Sequence, residues 1–99
     1  KKPWFTDYKE LLSVAPDAVS IVTPTYLHHK IARFFLNHGI HVLIEKPITK
    51  TLKEASELVR IAKRKHMIMQ VGHVERFNSA IQAIERLLPM PRFIEVHRL

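Results

Sequence analysis

Val42-Leu43-Ile44-Glu45-Lys46-Pro47 decides how this chain is read: three apolar residues, then a carboxylate, a lysine and a proline. The apolar run predicts a buried strand. Proline, with its fixed φ and no N–H, stops that strand and sets the lysine in a turn at its carboxyl end. In open parallel α/β sheets that edge is where ligands bind. A charged, solvated strand end is the ordinary alternative for the same tripeptide.

Upstream, Gly39 closes a helical pattern over 26–38 in which Leu27, Ile31, Phe34 or Phe35, and Leu36 share a side. That helix follows Ala18-Val19-Ser20-Ile21-Val22-Thr23, which is nearly all apolar or small and predicts a strand buried on both faces. Thr23-Pro24-Thr25 breaks the strand and puts Thr25 in place to cap the helix. Earlier still, Asp7-Tyr8-Lys9-Glu10 has capping-box spacing and predicts a short helix over 8–14, ended at Ala15-Pro16.

Downstream, Thr51-Leu52-Lys53-Glu54 is a second capping box, opening a helix with the apolar stripe Leu52, Ala55, Leu58, Val59 and Ala62. A third strand is expected over 67–71, ended by Gly72. Strand–helix–strand–helix–strand is two successive crossover units, so the three strands should be adjacent and parallel. Asn78 or Ser79 then caps a helix reaching Leu88, and Pro89-Met90-Pro91 stops it. Residues 92–99 mix Ile94 and Val96 with Glu95 and His97, as expected of a strand with one wet face in a different layer.

Ninety-nine residues make one small domain that buries roughly two-thirds of its unfolded surface. A hydrophobic share of 46% argues against disorder, and no apolar run reaches the length of a membrane span. No signal peptide is visible at the start, which is not a methionine. Without cysteine there is no disulfide scaffold and no thiolate ligand or nucleophile, which fits a reducing cytoplasm. The formal charge of +7 concentrates in Lys50, Lys53, Arg60, Lys63, Arg64 and Lys65, on the helix side opposite the apolar stripe. Such a face is ordinarily just solvated. A non-catalytic basic α/β module that binds nucleic acid or another polyanion is the alternative function, and nucleic acid is the less favoured partner.

Three strand ends carry chemistry: Thr23-Pro24-Thr25 with His28, Glu45-Lys46-Pro47, and Gly72-His73-Val74-Glu75-Arg76-Phe77-Asn78. In a parallel sheet they line one edge and converge on a single crevice. Thr25 and the amides after it suit an anion at a helix start. Lys46 suits donation to a hydroxyl or proton transfer, and Arg76 suits a two-bond clamp on phosphate or carboxylate. The other histidines read as surface or packing residues, no metal-ligand motif is present, and no serine sits in a nucleophile elbow.

Taken in series, Asp17-Ala18-Val19 leading to Thr23-Pro24-Thr25 and His28, then Gly39 through Pro47, then Gly72 through Asn78, resemble the Gfo/Idh/MocA oxidoreductase family. The resemblance implies an α/β fold: the second half of a Rossmann-type parallel sheet over 1–72, followed over 73–99 by a helix and the first strand of an α/β C-terminal substrate domain. It implies an NAD(P)-dependent dehydrogenase that transfers a hydride between NAD or NADP and a sugar or sugar-nucleotide hydroxyl carbon. Lys46 would be the catalytic residue, joined to Pro47 by a peptide that is often cis in relatives. Thr23, Pro24, Thr25 and His28 would line the nicotinamide end of the cofactor. Glu45, Lys46 and Pro47 would lie by the nicotinamide and ribose, and Arg76 and Asn78 at the crossing between domains. The last block looks most like sugar-nucleotide 3-dehydrogenases. No metal, no membrane, a homo-oligomer and a cytoplasmic location are expected with it.

The departures are as informative. The only glycines are Gly39 and Gly72, so no G-x-G-x-x-G turn for a pyrophosphate exists here. That turn and the acidic ribose-binding residue are expected before Lys1, and a further catalytic element after Leu99. The chain alone is expected to be inactive. A fragment held by self-association, with Val19, Ile21, Val42 and Ile44 on an open sheet face, is the third possibility.

Overall fold

A computed structural model of the chain describes residues 3–87 together with 90, 92, 93, 95 and 97. Tyr8–Val14 winds as a 3₁₀ helix, where capping-box spacing suggests an α-helix. The Asp7 carboxylate accepts from Lys9 N at 2.9 Å, and Glu10 N donates to the Asp7 carbonyl at 3.0 Å. The local polar groups therefore close a tight turn and do not cap reciprocally. Tyr8 stands edge-on to Phe34 and Phe35, with ring centroids 5.3 and 6.0 Å apart, and ties this turn to the following helix.

Strands β1 (Ala18–Ile21), β2 (His41–Ile44) and β3 (Met69–Val71) form a parallel sheet in the order β1-β2-β3. Ile21, Ile44 and Val71 lie in line across it. Helices α1 (Thr25–Asn37) and α2 (Leu52–Lys65) pack against each other and cover the sheet face that carries Ile21, Val42 and Ile44. The open α/β sheet expected from the crossover pattern is present.

Several expectations about burial need correction. The strands are not buried on both faces: Ala18, Ser20, Leu43 and Gln70 alternate with the core residues and are exposed. Both crossover helices pass on the same side, so among the described residues only one face is covered. For the same reason Ile21, Val42 and Ile44 are not an open surface; they form the floor of the core, with Val19 packed against it.

On α1 the buried stripe is His28, Ile31, Ala32, Phe35 and Leu36, at helical spacing, so a histidine takes the place expected for Leu27. On α2 the buried residues are Leu58, Ile61 and Ala62, while Leu52 is 87% exposed and Val59 lies on the outer side. Leu52 opens the helix too far from the sheet to reach it, and Ile61 completes the stripe.

The helix ends are as chemistry requires. Gly39, at φ 74°, closes α1 with Gly39 N donating to the Leu36 carbonyl and Ile40 N to the Phe35 carbonyl. Thr51 and Glu54 make the reciprocal capping box of α2. A second 3₁₀ turn, Val74–Phe77, leads to α3 (Ser79–Leu87), whose Ala80 N donates to the Asn78 side chain at 3.0 Å. The stop at 89–91 and the strand over 92–99 lie largely outside the described residues. No described helix is long and apolar enough to cross a membrane.

Candidate functional site

The ladder runs one step past each strand at the carboxyl edge. Glu45 N donates to the Ile21 carbonyl at 3.0 Å, and Gly72 N to the Ile44 carbonyl at 2.8 Å. These two bonds set the loops after β1, β2 and β3 side by side, as the parallel sheet predicts.

Glu45 lies over Gly72 so closely that a Cβ added there would stand 3.2 Å from both carboxylate oxygens. A side chain at position 72 requires that carboxylate to give by a few tenths of an ångström. The same carboxylate accepts from Lys46 N at 3.2 Å, folding back on the turn that carries the lysine. Lys46 is exposed at the tip, and its bond to Pro47 is cis. Lys46 is thus presented to solvent at the carboxyl edge, with the Glu45 carboxylate on its backbone amide.

His28 is buried at 1% exposure beneath these loops. Its Nε2 lies 2.7 Å from the Thr23 carbonyl and its Nδ1 lies 2.9 Å from the Pro47 carbonyl. Both ring nitrogens are therefore spent on backbone, one after β1 and one beside Lys46. Thr23 also carries a buried Oγ1 that has no partner among the described residues. A buried hydroxyl in that condition is a group waiting for a ligand or water.

The start of α1 differs in detail from expectation. Pro24 is the N-cap and Thr25 the first helical residue, with no side-chain capping bond. Threonine cannot cap from inside the helix, and proline has no side-chain acceptor. The first turn of α1 holds no acidic residue, which keeps this terminus open to a negative group. Across the edge, the Lys50 ammonium stands 5.7 Å from the centre of the Tyr26 ring. Sequence reading did not single out that pair; nothing in local spacing joins a helix start to a residue of the next loop.

Arg76 and Asn78 stand apart. The Asn78 amide is committed to Ala80 N and to Glu75 Oε2, and the Arg76 carbonyl accepts from the Gln82 side chain. No hydrogen bond or ion pair links either residue to the Thr23–His28–Pro47 group among the described residues. Two surface hollows lie elsewhere. One of about 780 Å³ runs along the outer side of α2 by Arg60, Lys63 and Arg64, and one of about 360 Å³ lies between Tyr8 and α1. The carboxyl edge is the better candidate because it gathers a cation, a carboxylate, an unpartnered hydroxyl and an open helix terminus.

A parallel α/β half-sheet with those groups at its carboxyl edge is the class of nucleotide-cofactor-binding oxidoreductase domains. The model of the Gfo/Idh/MocA oxidoreductase family, an NAD-binding Rossmann fold, matches residues 2–73, and the chain belongs to that family. It is 42% identical over 84 residues to the UDP-N-acetylglucosamine 3-dehydrogenase of Acidithiobacillus ferrooxidans, covering 84% of this chain and 27% of that protein. A solved structure of that enzyme superposes with a TM-score of 0.76 at 40% identity, with the same coverage of each chain.

The scyllo-inositol 2-dehydrogenase (NADP(+)) IolU of Bacillus subtilis is 41% identical over 66 residues, 66% of this chain and 20% of that one. A biliverdin reductase from Synechocystis, solved with biliverdin and NADP+, superposes with a TM-score of 0.77 at 30% identity. That match covers 86% of this chain and 27% of the reductase. The chain thus spans about a quarter of the length of the relatives it matches.

NAD or NADP is the cofactor class that goes with this family. The residues present fit part of such a ligand. The orphaned Thr23 hydroxyl, the open α1 terminus and the close Glu45–Gly72 contact suit one end of it. The two glycines, at a helix end and against Glu45, leave no turn here for a pyrophosphate.

Proposed function

We propose that this chain is part of an NAD(P)-dependent dehydrogenase that oxidises a hydroxyl carbon of a sugar or sugar nucleotide. The observation that supports it is the placement of Lys46, exposed at the carboxyl edge on a turn held from below by His28 and from behind by Glu45. When bound, the oxidised nicotinamide supplies the hydride acceptor.

The residues of this chain act around that transfer. Lys46 Nζ, as the neutral amine, accepts the proton of the hydroxyl on the reacting carbon and becomes ammonium as that carbon loses hydride and becomes a carbonyl. Glu45 holds the lysine turn through the Lys46 amide. Thr23 offers its free hydroxyl to the cofactor, with Pro24 and Thr25 forming the wall beside it and Pro47 the wall beyond the lysine. Arg76 and Asn78 belong, in this reading, to the crossing toward the substrate domain. The names of the dehydrogenase relatives support a UDP-N-acetylhexosamine or an inositol as the substrate, and the absence of cysteine accords with a cytoplasmic setting.

The test is turnover by the full-length protein with NAD+ or NADP+ and a panel of sugar nucleotides and inositols, followed by nicotinamide absorbance. Lys46→Ala should lower kcat by about 10²-fold or more. A wild-type protein that reduces neither cofactor with any member of the panel refutes the reading. Unchanged kcat in Lys46→Ala removes the lysine from the chemistry.

A further inference from the structure

A histidine at a core position of a helix ordinarily has one ring nitrogen bonded and the other against a donor or a cavity. His28 has a backbone carbonyl oxygen against each nitrogen, at 2.7 and 2.9 Å. Carbonyl oxygens only accept, and a neutral imidazole has one N–H. The ring bridges the two carbonyls in a site with 1% exposure, where water does not compete for either contact. The two carbonyls belong to different loops, Thr23 at the exit of β1 and Pro47 next to Lys46.

We propose that His28 is a positioning residue that clamps the Lys46 turn to the β1 exit loop through the contacts of its two ring nitrogens. It does not touch the reacting atoms; it acts through Pro47. The fold supplies the rest of the support. His28 begins the buried stripe of α1, continued by Ile31 and Ala32, so the ring is fixed by the helix while the two loops hang from it. Losing the clamp frees the lysine turn from the edge that aligns it, and a displacement of about 1 Å at a catalytic group is enough to lower turnover by about 10²-fold. The inference rests on the role proposed for Lys46, and its test is arranged to separate the two.

The first measurement uses the wild-type, full-length protein with isotopically labelled histidine. Nuclear magnetic resonance should show a ring N–H proton of His28 protected from exchange with water, assigned by its loss in His28→Phe. A His28 ring N–H that exchanges freely with water overturns the clamp. This readout needs no turnover, so it stands even if no sugar is oxidised, an outcome that would remove the proposed function alone.

The second measurement is a double-mutant cycle. His28→Phe should lower kcat by about 10- to 100-fold when Lys46 is present. In a Lys46→Ala background it should add less than about twofold, because the group it positions is gone. Equal losses in both backgrounds would show a purely structural histidine and overturn the proposal.

Discussion

Gly72→Ala tests how tightly the carboxyl edge is assembled, because two opposing terms can be set against each other there. Gly72 is buried, and its φ lies outside the left-handed region, so alanine is not excluded by backbone conformation. Replacing glycine at such a position stabilises by about 0.4–1 kcal/mol through the unfolded chain. Against this, the new methyl would stand 3.2 Å from Oε1 and Oε2 of Glu45 and 3.3 Å from its Cδ. The carboxylate must give by a few tenths of an ångström, and its already long bond to Lys46 N, at 3.2 Å, is the contact it loses. A hydrogen bond of that kind contributes about 0.5–1.5 kcal/mol.

The two terms nearly cancel, so urea unfolding of the full-length protein should shift by about 1 kcal/mol or less. Turnover should nevertheless fall, by roughly tenfold, because the displaced group holds the lysine turn. In a Glu45→Ala background the obstruction is absent, and Gly72→Ala should become neutral or stabilising by about 0.4–1 kcal/mol. An equal loss of stability in both backgrounds would show that the carboxylate is not what the methyl meets, and the argument would fail.

Other outcomes follow from single positions. Gly39→Ala should destabilise by about 1–2 kcal/mol in denaturant unfolding, since the added Cβ meets nothing within 4 Å and the whole loss comes from the left-handed φ of 74°. Thr51→Ala removes the capping oxygen of α2 and should lose about 1 kcal/mol, with fraying of the first turn visible in amide exchange. Leu58→Ala, at a fully buried position between α2 and the sheet, should lose about 2–5 kcal/mol, read as a drop in unfolding midpoint.

Much of this architecture was legible because each element announced itself chemically. Pro47 after an apolar run stopped β2, Gly39 closed α1, and Thr51 with Glu54 opened α2; in each of these cases the structure makes the backbone use of the residue that its chemistry favours. What stayed hidden needs tertiary information. Apolarity alone could not say that Ser20 and Leu43 face outward, because a run of small and branched residues reads the same whether one face is covered or two. The exchange of Leu27 for His28 in the core of α1 has the same origin. Periodicity ranks leucine above histidine, and only the two carbonyls converging from distant loops make the polar ring the better fit.

Lys46 could be found from its neighbours in sequence, since its setting is a strand end and a turn. The groups that hold it are His28, 19 residues before the Pro47 it contacts, and Glu45 folded over Gly72. Local signals therefore pointed to the candidate lysine, while its alignment is a property of the folded edge. That is why substitutions beneath the lysine, more than those at it, distinguish this site from any strand end that happens to carry a charge.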